Sequence, residues 1–104
     1  RVMVSAWVAN RSWVEANSAT AAKFAAAMRA TADWVNKNQA ATAVTLARFT
    51  HMSPAVIAEM HRETFATRLE PGTIQPIIDV CAKYNYIPRR FPVADLLVPN
   101  ISTG

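Results

Sequence analysis

Apolar positions along the chain follow two different periods. Val2-Met3-Val4-Ser5-Ala6-Trp7-Val8-Ala9 is apolar on both alternations and rich in valine. That is the pattern of a strand buried on both faces, so a strand is predicted over residues 2–9. From residue 12 the spacing changes to three and four. Ser12-Trp13-Val14-Glu15 fits the S-x-x-E capping box, in which the serine hydroxyl accepts from a backbone N–H and the glutamate reaches back. A short helix is predicted over 12–16. Asn17 or Ser18 then caps a long helix over 18–37. Its face carries Phe24, Ala27, Met28, Thr31, Trp34 and Val35, with Lys23, Arg29, Asp33 and Lys37 mostly opposite.

Asn36-Lys37-Asn38 interrupts that pattern, because asparagine favours helix ends over interiors. A helix over 39–49 follows, with Ala43, Leu46, Ala47 and Phe49 as its apolar positions. Thr50-His51-Met52 reads as a turn. Ser53-Pro54 then supplies an N-cap and a proline at the first helical position, where a missing N–H costs nothing. The helix it opens is expected over 54–64, with Val56, Ile57 and Met60 inward. Thr73 is expected to cap a helix over 74–85, striped by Ile74, Ile77, Ile78, Cys81 and Tyr84, with Pro76 in its first turn and Asn85 as its stop. The tail over 88–104 reads as extended, apart from one helical turn at Val93-Ala94-Asp95-Leu96-Leu97. The fold class expected is mainly α: four or five amphipathic helices with one short N-terminal strand.

Composition narrows the chemistry. A chain of 104 residues makes one domain or part of one. Hydrophobic residues at 52% are too many for a disordered chain, and they are too interrupted for a membrane span of ~18 or more apolar residues. Two glycines exclude a glycine-rich phosphate loop, and one cysteine excludes an internal disulfide. Neither a nucleophile constellation nor a paired acid and base emerges, so no enzyme, metal or cofactor is expected. The net charge of +4 comes from basic residues scattered among acids, with Arg89-Arg90 as the one adjacent pair. Solvated helix faces account for it better than nucleic acid does.

A strand without a partner strand leaves its backbone groups unpaired. No second strand is legible downstream, so the chain reads as a piece of a larger protein. The order of its segments supports this. Trp7-Val8-Ala9-Asn10-Arg11-Ser12-Trp13-Val14-Glu15-Ala16-Asn17 precedes Phe24-Ala25-Ala26-Ala27-Met28-Arg29-Ala30 and Ala32-Asp33-Trp34-Val35-Asn36-Lys37-Asn38. Ala43-Val44-Thr45-Leu46-Ala47-Arg48-Phe49-Thr50 and Ser53-Pro54 follow. This order and spacing resemble the C-terminal portion of the periplasmic solute-binding proteins of ABC importers, in the nitrate, sulfonate, taurine and thiamine-precursor group. Leu69-Glu70-Pro71 and Ile77-Ile78-Asp79 resemble that family's closing helices. The resemblance covers most of residues 4–98. It departs at Ser18, where the family often has proline.

The resemblance implies that residues 1–104 form a single C-terminal segment of one lobe in an α/β two-lobe protein. It implies hinge closure on a small, usually anionic or heterocyclic solute, then docking on the permease membrane subunits outside the cytoplasm. No complete solute site would fit in this chain alone.

Trp7, Asn10 and Arg11 are the candidate ligand-binding residues. They stand at the carboxyl end of the expected strand, where ligands of open α/β sheets bind. The Ser12 cap would aim free N–H groups there, and Arg11 would form a fork with a sulfonate or carboxylate. The plainer alternative makes Trp7 core, Asn10 a turn residue and Arg11 a solvated charge. His51 and His61 read as surface histidines, Ser53 as a cap, and Cys81 as a buried thiol. Tyr84, Tyr86 and Phe91 read as anchors of the tail. A second function class stays open: a self-contained helical interaction or oligomerisation module. Its unpaired strand and apolar stripes would favour self-association, with a strand or helix exchanged between two copies.

Overall fold

A computed structural model describes residues 3–102. They are mainly helical, as the periodicity predicts. In order they form α1 (Arg11–Ala16), α2 (Ser18–Lys37), α3 (Gln39–Thr50), α4 (Pro54–Glu59), α5 (Pro71–Lys83) and a 3-10 turn at Val93–Asp95. The chain divides into two compact units. One holds the residues up to Ala26 and those from Arg68 onward; the other is Ala27–Thr67. Helix α2 contributes its first half to one unit and its second half to the other.

The strand expected over 2–9 does not form among the described residues; Val2 lies outside them. Residues 3–10 have no regular structure, and the Met3 N–H donates to the Thr73 carbonyl at 3.2 Å. The reason is physical: β-propensity needs a neighbouring strand to accept and donate, and no such strand is present among the described residues. The apolar run is consequently exposed, with Val4 at 80%, Trp7 at 73% and Val8 at 88%.

In the first unit the core is built on α5. Ile74 and Ile78, one helical turn apart, are buried together with Val93 of the 3-10 turn. Met3, Leu69, Ile87, Phe91 and Leu97 pack against them. Helix α5 starts earlier than the sequence suggests. Glu70 is its N-cap residue and Pro71 opens it, so Pro76 lies in the second turn rather than the first. Thr73 does not cap; its hydroxyl donates to the Glu70 carbonyl at 2.8 Å. The end is as expected. Asn85 adopts φ 60°, Tyr86 N–H donates to Cys81 O at 2.8 Å, and Asn85 N–H donates to Ala82 O at 3.2 Å. These two bonds form a Schellman closure, for which a left-handed asparagine is suited. The tail is less extended than expected. Val98 carbonyl accepts from Ser102 N–H at 2.8 Å, and Leu69 N–H donates to Ser102 O at 3.2 Å.

The unit over Ala27–Thr67 has a thinner core. Ile57 is its one buried residue, 4% exposed, on α4. Ser53 caps α4 as expected, its Oγ accepting from Val56 N–H at 3.3 Å, with Pro54 next. The helix stops at Glu59, five residues short of the expected end, because Met60 turns to extended backbone at φ −73°, ψ 145°. Past that turn Arg62 reaches α3, donating from Nη1 to Gln39 O at 2.9 Å and from Nη2 to Thr42 Oγ1 at 3.0 Å. Asn36 makes a reciprocal pair with the Phe65 backbone. Its Nδ2 donates to Phe65 O at 2.8 Å, and its Oδ1 accepts from Phe65 N–H at 2.9 Å. These bonds hold residues 60–67 where no helix does.

Candidate functional site

The segment from Trp7 to Arg11 is the first candidate. Asn10 is the N-cap residue of α1, in extended backbone at φ −65°, ψ 137°. Its carbonyl accepts from Val14 N–H at 3.1 Å, while its side chain makes no capping bond. Helix α1 starts at Arg11, so Ser12 is inside the helix and the capping box expected there does not form. Arg11 donates from Nη2 to the Asp95 backbone carbonyl at 3.1 Å. Trp7 stands edge-on to Phe24 of α2, ring centroids 5.6 Å apart at 84°. It is exposed and not core, so the plainer expectation for it does not hold.

The three residues are therefore close in sequence and open to solvent, but their side chains engage different neighbours. Arg11 uses one of five guanidinium donors on Asp95 O, leaving four. The strand-end argument loses its base, since no strand leads into the segment.

A second cluster joins α5 to the tail, and the sequence pattern did not single it out. Gln75 Nε2 donates to Asp79 Oδ1 at 2.8 Å and to Phe91 O at 3.1 Å. Its Oε1 accepts from Val93 N–H at 2.8 Å. Arg90 closes the cluster, donating from Nε to Asp79 Oδ1 at 2.6 Å and from Nη2 to Oδ2 at 3.3 Å. The Arg90 hydrogen bond, then the Gln75 one, holds the Asp79 carboxyl below its ordinary 3.8. The same hydrogen bond, and then the Asp79 charge, raises Arg90. A shallow cleft of about 270 Å³ lies over Gln75, Arg90, Phe91 and Pro92. Each polar group here is engaged in tying the tail to α5, so the cluster is a fastening. The Gln75–Asp79 spacing of four is its one signal in the sequence.

A larger groove of about 560 Å³ is lined by α3, α4 and the residues just after α4. Cys81 is half-buried rather than buried. Tyr84 and Tyr86 are exposed, so of the three expected tail anchors only Phe91 packs against the core. Among the described residues no group of His, Cys, Asp or Glu could hold a metal, and no helix is long and apolar enough to cross a membrane. No known protein family, curated protein or solved structure matches the chain.

Proposed function

We propose that the chain is a non-catalytic binding segment: the C-terminal part of the solute-binding component of an ABC importer, working outside the cytoplasm. The observation that carries this reading is the uncharged run at residues 4–9. It is exposed and apolar, and its backbone groups bond to no other described residue. Such a run gains most by joining a sheet. A strand returning to a sheet and leading straight into capped helices is the arrangement that the resemblance implies. The solute is a small anion or heterocycle, with Trp7, Asn10 and the free donors of Arg11 as its contacts from this segment.

The test is calorimetry on the full-length protein carrying this chain, with nitrate, alkylsulfonates, taurine and pyrimidine thiamine precursors. One class should bind with a single site, and Arg11→Ala should weaken an anion roughly ten- to a hundredfold. No binding across the set would overturn the reading. A helical interaction module is the second reading, favoured by Val44 and Phe49, 68% and 86% exposed on α3. Sedimentation of the isolated chain as a dimer, with no solute bound by the parent, would select it.

A further inference from the structure

The geometry points to a second ligand site, for a small amphiphilic carboxylate, in the groove over α3 and α4. Its volume of about 560 Å³ falls within the ~300–1,000 Å³ of small-molecule sites. Ala40 and Ala43 of α3 line it together with Ile57 and Ala58 of α4. Their short side chains leave an apolar trough. Arg62 and His61 stand on its lining, and no acidic residue does.

Arg62 decides the ligand. Its guanidinium is half-buried and donates to two neutral acceptors, Gln39 O and Thr42 Oγ1. Among the described residues it pairs with no carboxylate, although Glu59 and Glu63 lie close in sequence. Three of its five donors are left. A partly desolvated cation held only by neutral dipoles gains most from a charge-assisted bond to an anion. One guanidinium beside an apolar trough matches a monoanion with a short apolar body. A phosphate dianion would set its second charge against alanine and isoleucine. The carboxylate sits on Arg62, and the apolar body lies along Ala40, Ala43 and Ala58.

This site lies wholly within residues 39–62 and does not rest on the transport reading. Octanoate, octanol and octylamine are the probes, followed by backbone amide NMR on this chain. Octanoate should bind roughly tenfold more tightly than octanol, octylamine should not bind, and the shifts should centre on Ala40, Ala43, Ala58 and Arg62. Ala43→Leu fills the trough without touching the Arg62 bonds. It should abolish octanoate binding with helical circular dichroism retained. Equal affinity for octanol and octanoate, absence of octanoate binding, or binding unchanged in Ala43→Leu would each overturn the proposal. Failure of the parent protein to bind any transport solute would leave these arms untouched.

Discussion

The α5–tail region and the α3–α4 region are stabilised by different means. In the first, Ile74 and Ile78 stand four residues apart and meet Val93, with five further apolar side chains packed around them. In the second, one isoleucine is buried, and alanines fill much of the facing helix. Alanine gives a helix high propensity but little apolar area to bury. Position in the second region therefore depends on long-range polar ties: Asn36 to Phe65, and Arg62 to Gln39 and Thr42. An apolar core tolerates loss of a polar bond at its edge. A region without one has less in reserve.

The largest expected effect lies in the first region. Ile78→Ala removes a side chain that is 5% exposed and leaves a cavity beside Ile74 and Val93. It should cost about 2–5 kcal/mol in urea denaturation. Val80→Ala, on the same helix but 52% exposed, should cost less than about 1 kcal/mol. Similar losses for the two would break the claim that this region rests on its core. Next comes Asn36→Ala in the second region, expected to cost about 1–2 kcal/mol for two lost hydrogen bonds. Its distinguishing readout is hydrogen exchange. Protection should vanish at Phe65 while α3 amides keep theirs. Asn36→Asp, which keeps the acceptor for Phe65 N–H and loses the donor, should fall between.

The same contrast explains what could be read in advance. Helices α2 and α3 were legible within a residue because their signals are local: apolar spacing, and asparagines at the break between them. The Ser53-Pro54 start and the Asn85 stop were legible for the same reason. The Asn36–Phe65 pair spans 29 residues and the Arg62–Gln39 bond 23, distances at which periodicity carries no information. The early end of α4, where Met60 turns extended, carries no glycine, asparagine or proline to mark it, so it was invisible too. Residues 2–9 failed differently. Their composition describes what the segment would do beside a strand, and no described residue supplies one. The exposure of Trp7 was not legible, because a strand buried on both faces was expected there; Trp7, Asn10 and Arg11 were legible only as close in sequence, at the start of α1. Their separate neighbours, Phe24 and Asp95 O, were not.

Acid tests the fastening of the tail. The Arg90 and Gln75 hydrogen bonds lower the Asp79 pKa in the folded chain, so the unfolded chain binds the proton more readily. Their contribution is therefore complete above the ordinary value of 3.8 and is lost as pH falls through the lower folded value. Carboxyl NMR should place the Asp79 midpoint below 3.8, and salt should move it back upward, because the pair is exposed. Asp79→Asn should remove this acid-dependent component and leave stability at neutral pH only slightly lower. An Asp79 midpoint at or above 3.8 would show that the three-residue cluster does not hold in solution.

Arg11→Ala should have the smallest effect on stability. Its one bond goes from Nη2 to Asp95 O, at an exposed site on the α5–tail side. There the tail is already held by Val93 in the core and by Gln75 on both sides of Pro92. Losing one more tie should shift unfolding by no more than about 0.5 kcal/mol, within the range of ordinary surface changes. The comparison predicts a dependence on background. With Gln75→Ala already present, the tail loses its side-chain bonds at Phe91 O and Val93 N–H, on either side of Pro92, and Arg11→Ala should then cost more than it does alone. A double-mutant cycle measures that difference directly. If Arg11→Ala costs as much in the intact chain as in the Gln75→Ala background, the tie is not redundant, and the tail is held by its polar bonds much as residues 60–67 are.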